Sequence, residues 1–130
     1  MITSTSLLKL LAAIAVVESN VDDHTVGDGG DAIGRYQIHA KAVEDVNKFY
    51  NTDFSWRQMH DPASAEWVAL LYLQLYLKAV PNAGLEDAAR IWNGGPDGWR
   101  QGCTLAYWHK VSEILRYMKL RDAIANTFSA

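Results

Sequence analysis

A single cysteine, Cys103, stands among 130 residues. It excludes an internal disulfide, so the fold must hold as a reduced protein and is not a disulfide scaffold. Synthesis in a reducing cytoplasm fits that usage. Long hydrophobic runs are missing as well. The longest candidate, Leu10 to Val17, has eight apolar residues, far short of the roughly 18 that span a bilayer. No positive charge precedes Leu7, and the run passes directly into Glu18-Ser19, so it reads as a buried helix rather than an export signal. Stable membrane insertion is not expected. Nor is there a basic stripe: residues 1–66 carry five Lys/Arg against ten Asp/Glu and residues 67–130 carry seven against five, which gives nucleic acid no footprint. Repeats, linkers and low-complexity tracts are absent, and the length suits one domain over residues 1–130.

What is present is ordinary globular composition, 49% hydrophobic and 21% charged, with five tryptophans and six tyrosines. Aromatic faces stack on sugar rings, but most simply fill cores. Leu7, Leu8, Leu11, Ile14 and Val17 or Glu18 recur at helical spacing after Ser4 or Ser6 as N-cap, predicting a nearly all-round apolar helix over 5–19 in the middle of the core. Asn20 to Gly34 turns to Asp, Gly and His, with four glycines. It predicts a loop and small hairpin ending on Arg35 to Ile38. A second helix follows over Ala40 to Tyr50. Asp61-Pro62 is a cap and first-turn proline opening a long amphipathic helix to about Val80, which Pro81-Asn82 ends. A short helix over Leu85 to Trp92, the turn Asn93-Gly94-Gly95-Pro96 and a final helix or helix pair from Thr104 complete the chain.

Glu18 is the first candidate for chemistry. At the end of an apolar helix the dipole is negative and Ile14 and Val17 reduce hydration, so the neutral carboxyl is favoured. A raised pKa is what a glycosidic general acid requires; a solvated helix-end glutamate would occupy the same position. Asp22, Asp23, His24, Asp28 and Asp31 cluster, yet they lack the Asp-x-Asp-x-Asp-Gly calcium spacing, and the chain has no His-Glu-x-x-His zinc motif. No metal and no cofactor are expected. Asp28 and Asp31 both admit plain turn chemistry. Cys103, with no His/Asn signature beside it, reads as a packing residue. Trp92 and Trp108 read as core, and His60 and His109 as surface or cap residues.

Four segments occur in an order that resembles lysozyme-like transglycosylases: Glu18-Ser19, Gly34-Arg35-Tyr36-Gln37-Ile38, Asp61-Pro62 and Ala89-Arg90-Ile91-Trp92-Asn93-Gly94-Gly95-Pro96. The resemblance spans roughly residues 7–111. The C-terminal part also resembles invertebrate-type lysozymes, through Ala89 to Gly98, Thr104 and Tyr107-Trp108-His109-Lys110-Val111. Those proteins are disulfide-rich, so their framework and any peptidase side activity do not carry over to a chain with one cysteine.

The resemblance implies a predominantly helical α+β lysozyme-like fold, five to seven helices with a small hairpin at a cleft, that cleaves the β-1,4 bond between N-acetylmuramic acid and N-acetylglucosamine in peptidoglycan strands. Glu18 would protonate the leaving oxygen. Ser19, Tyr36, Gln37, His39, Asn93 and Tyr107 would contact substrate, since amides and hydroxyls both donate to and accept from sugar. Asp28, nine residues before Gln37, falls near the second acid of the invertebrate-type enzymes, with Asp31 its rival. Carboxyls about 5–5.5 Å apart would make a retaining hydrolase, about 6.5–9.5 Å an inverting one. If Asp28 faces away, Glu18 would work alone as a lytic transglycosylase forming 1,6-anhydromuramyl ends. Hydrolysis is the slightly favoured expectation, chitin cleavage a weaker one, and a silent glycan-binding or virion structural module the rival from another class. The expected form is a monomer without an evident export signal, reaching the cell wall by phage-type release or as a secreted protein with its signal removed.

Overall fold

Thr3, rather than Ser4 or Ser6, caps the first helix. In the computed structural model, which describes residues 2–128, its Oγ1 accepts from the Ser6 backbone N–H at 3.0 Å. Helix α1 (Ser4–Ser19) therefore begins one residue earlier than expected. It buries Leu7, Leu10, Leu11, Ala13, Ile14 and Ala15 and packs on the last three helices. Asn20 and Val21 both take left-handed backbone, at φ 55° and 61°. Their N–H groups close on Val16 and Ala15 carbonyls at 3.0 Å, a Schellman-type stop that turns the chain sharply just past Glu18.

The loop returns as the expected hairpin, but a very short one. Strand β1 (Val26–Gly27) pairs antiparallel with β2 (Ala32–Ile33), Val26 opposite Ile33 and Gly27 opposite Ala32. Ile33 then bridges back to Ile38. Two glycines make this packing possible. Gly34, at φ 79°, lies so close to the Met59 carbonyl that a Cβ would collide with it, and a Cβ at Gly27 would strike the Gln37 side-chain oxygen.

Helix α2 (Ala40–Tyr50) matches its expected span. Helix α3 (Pro62–Leu77) has the expected cap, Asp61 Oδ2 accepting from the Ser64 N–H at 2.9 Å and its hydroxyl at 2.8 Å. It ends before Val80, whose N–H turns back onto Leu77 O at 3.0 Å as its side chain enters the core. Nor is α3 amphipathic. Val68, Ala69, Tyr72 and Leu73 are buried, and Leu70 and Leu71 pack against the core from the remaining sides, because α1, α2 and α4 surround it. It shares the central position that the composition of α1 suggested.

Helix α4 (Leu85–Gly94) runs two residues beyond its expected end. Its Arg90 clamps the following turn: Nε donates to Thr104 Oγ1 at 2.8 Å, and an Nη donates to Gln101 O at 2.9 Å. Thr104 is buried and donates onward to Gly98 O at 2.7 Å. A single α5 (Leu105–Phe128), not a helix pair, follows. Cys103 is exposed rather than packed, since the turn at 102–104 presents Thr104 to the interior instead. Among the described residues no helix is long and apolar enough to cross a membrane.

Candidate active site

Glu18 lies half-buried at the end of α1, where α1 meets α5. Tyr107, 89 positions later in the chain, donates its hydroxyl to Glu18 Oε2 at 2.8 Å. Burial raises the Glu18 pKa; the Tyr107 hydrogen bond opposes it; the negative charge of Asp28 adds to the rise; His39 and Lys110 oppose it weakly. The net direction is upward, as a proton donor near neutrality needs. Tyr107 is itself held protonated by burial and by the Glu18 charge, so it stays a donor.

The carboxyl opens into a cleft of about 940 Å³. One wall is the hairpin and the segment after it, with Gly27, Asp28, Gln37 and His39; the other is the end of α4, with Asn93, Gly95 and Pro96. The floor is aromatic. Trp92 meets Tyr72 edge-on at 5.7 Å between ring centres, and Tyr72 meets Tyr76 at 5.0 Å. Trp92 thus packs against the core and lines the cleft at once, while Trp108 packs against the core.

Of the residues singled out in the sequence, Glu18, Asp28, Gln37, His39 and Asn93 line this cleft. Gln37, at φ 54°, spends its amide N–H groups on the Gly34 and Thr25 carbonyls, at 2.9 and 3.2 Å. It thereby fastens the two sides of the hairpin wall together. His39 Nε2 meets Asp28 Oδ2 at 2.9 Å, with the side chains 51% and 68% exposed. Asp28 is therefore near enough to Glu18 to repel its charge, yet mostly in water and already paired.

Two expected substrate contacts, Tyr36 and Ser19, are not among the residues that line the cleft. Tyr36 is buried, edge-on to Trp92 at 6.5 Å. Ser19 donates to Arg35 O at 2.8 Å and accepts from the Asp22 N–H at 2.9 Å, stitching the end of α1 to the hairpin. Tyr107 reaches the site through Glu18 rather than through the cleft lining. Asp31 is exposed and is not among the lining residues.

The acidic loop serves structure. Asp22 Oδ1 accepts from the His24 N–H at 2.9 Å. Asp23 takes Arg35 in a two-pronged ion pair at 2.6 and 3.1 Å, which holds its carboxyl below the usual range. His60, half-buried rather than a free surface residue, donates Nδ1–H to Asp23 O at 2.8 Å. His109 is exposed. Among the described residues no group of three His, Cys, Asp or Glu side chains could hold a metal ion.

Sequence reasoning passed over the far end of the cleft, where Lys41, Asp45, Lys48, Phe49, Tyr72 and Tyr76 line the space. Buried Asp45 accepts from Tyr76 Oη at 2.6 Å and pairs with Lys41 at 2.8 Å; burial pushes Tyr72 up to about 12. A signal was present: positions 41, 45, 48 and 49 share one face of a helix, as do 72 and 76.

No curated protein matches the chain. The family profile described as the transglycosylase SLT domain matches residues 3–114, a stretch that contains the cleft, Glu18 and Tyr107 and takes in every helix but the last part of α5. With a helical fold, a two-stranded hairpin and a half-buried glutamate at one end of an aromatic-floored cleft, this chain belongs to the transglycosylase SLT domain family, lysozyme-like enzymes that cleave peptidoglycan.

Proposed function

We propose that this protein cleaves the β-1,4 bond between N-acetylmuramic acid and N-acetylglucosamine by lytic transglycosylation, with Glu18 as both acid and base. The observation that carries this reading is the contrast between two carboxyls. Glu18 is half-buried, oriented by Tyr107 and raised in pKa, whereas Asp28 is 68% exposed and paired with His39. A solvated carboxylate already hydrogen-bonded to His39 is poorly placed to act as a fixed nucleophile or to activate a water.

Glu18 gives its proton to the bridging oxygen as the bond from that oxygen to muramyl C1 breaks. The resulting Glu18 carboxylate takes the proton of the muramyl C6 hydroxyl, whose oxygen closes onto C1. The product is a 1,6-anhydro ring, no water is consumed, and Glu18 ends protonated. Asn93 and Trp92 line the cleft, offering amide hydrogen bonds and apolar surface to N-acetyl sugars.

Hydrolysis through Glu18 and Asp28 is the second reading. It is favoured by one fact, that Asp28 shares the cleft and acts electrostatically on Glu18. Under either reading the place of action is the cell wall, reached by phage-type release or by secretion.

Mass spectrometry of muropeptides released from purified peptidoglycan separates them. Anhydromuramyl ends that persist in Asp28→Asn and vanish in Glu18→Gln are expected. Reducing muramyl ends lost in both variants would replace transglycosylation by hydrolysis. No soluble product from the unaltered protein would move a silent glycan-binding module to the front.

A further inference from the structure

Helix α5 continues past the core it helps to build. Ile114, Leu115 and Met118 still pack against that core, but every residue from 119 to 128 is exposed. On this stretch Tyr117, Leu120, Ile124 and Phe128 are 63, 60, 51 and 85% exposed. Spaced three and four residues apart, they form one apolar stripe. It lies on a different face of the helix from Tyr107, Val111, Ile114 and Met118, which turn to the core.

Six charged side chains accompany the stripe on α5. Lys110 and Glu113 precede it on the same face and offset each other in charge. Beyond them stand Arg116, Lys119 and Arg121 against Asp122 alone, so residues 115–128 carry +2 while the whole chain carries -3. At about 100° per residue, Arg116 and Arg121 border the stripe on its two sides and Asp122 falls on the opposite face. Among the described residues no carboxylate forms an ion pair with Arg116 or Lys119, and Arg121 reaches Asp122 only at 4.0 Å.

An apolar stripe bordered by arginines suits a helix lying in the plane of an anionic bilayer, its apolar side chains at the acyl boundary and its cations among the headgroups. A second copy of the chain fits less well. Two stripes placed face to face bring their arginine borders together, and four side chains fall far short of the roughly 800 Å² per partner of a stable interface. We propose that residues 115–128 of α5 dock on the surface of an anionic lipid bilayer, with Tyr117, Leu120, Ile124 and Phe128 entering the headgroup boundary. The contact stays at the surface, since among the described residues no helix is long and apolar enough to cross a membrane. The acidic remainder of the chain is repelled by the same surface, which orients the protein helix-first. Tyr107 lies only about 15 Å along the helix from Tyr117, so docking holds the cleft beside the membrane.

The test is co-sedimentation with vesicles of equal parts phosphatidylglycerol and phosphatidylcholine, beside vesicles of phosphatidylcholine alone. The unaltered protein should prefer the anionic vesicles about twenty-fold, from two net charges at about five-fold each, and lose that preference at 1 M salt. Lys119→Glu, which brings the segment to zero net charge, should erase the preference. Leu120→Ala/Ile124→Ala should weaken binding about ten-fold for each side chain, while circular dichroism and cleavage of lipid-free peptidoglycan stay as in the unaltered protein. No binding to anionic vesicles, or binding that both variants leave in place, would overturn the lipid site. A dimer seen by sedimentation velocity and lost in Leu120→Ala/Ile124→Ala, with no vesicle binding, would overturn it in favour of a second copy. Vesicle binding needs no chemistry at Glu18, so this outcome is separate from that of the glycan-cleaving reading.

Discussion

Glu18 carries opposing influences that set its working range. Burial and Asp28 favour its proton, while the Tyr107 hydroxyl favours its charge. Removing that hydroxyl in Tyr107→Phe should therefore raise the Glu18 pKa further and move the alkaline limb of the kcat profile to higher pH. It should also lower kcat about ten-fold, roughly the worth of one hydrogen bond to a charged group; pH-rate profiles of the two proteins check both. The same carboxyl has a stability cost. A group whose folded pKa is raised contributes stability that is complete below its unfolded pKa and lost as pH rises through the folded one. Glu18→Gln should accordingly abolish cleavage and raise Tm at pH 7, with the gain shrinking toward pH 4. Calorimetry at the two pH values reads this directly, and an equal gain at both would point to a cause other than ionisation.

At the scale of elements, two junctions position the site. The hairpin wall is seated by Gly34, whose left-handed backbone and contact with the Met59 carbonyl leave no room for a side chain. Gly34→Ala should cost about 1–3 kcal/mol and, because Gln37 bonds to the Gly34 carbonyl, should lower activity beyond the loss of folded protein. Denaturant midpoints beside specific activity per folded molecule test this. The second junction is Thr104, buried between α4 and α5 and bonded to Arg90 and Gly98. Thr104→Val keeps the shape but leaves the Arg90 Nε–H without its acceptor and Gly98 O with the Gln101 N–H alone, so urea unfolding should show a loss of about 1–3 kcal/mol. Tyr107 lies one helical turn further along α5, so a shift in kcat should accompany that loss.

Over the whole molecule one core serves both stability and chemistry. Ile14 is fully buried one turn before Glu18, and Ile14→Ala should cost about 2–5 kcal/mol by the cavity it leaves, measured from the urea midpoint. Much of this was legible in the chain itself. The apolar run over Leu10 to Val17, the Asp61-Pro62 cap and the glycines at 27 to 34 determined where helices and hairpin stand, because hydrophobic spacing, capping and left-handed backbone are local properties of residue type. Glu18, Asp28, Gln37 and Asn93 stand out through the resemblance of short motifs to lysozyme-like families, and His39 through its place after Gln37-Ile38; the cleft gathers all five. Only the tertiary structure decided that Tyr36 and Ser19 turn inward, that Tyr107 crosses 89 positions to hold Glu18, that Asp28 is spent on His39, and that α2 supplies the far end of the cleft. Those outcomes depend on which faces of distant helices meet around one core, and burial, charge pairing and pKa belong to the space between elements rather than to any stretch of chain.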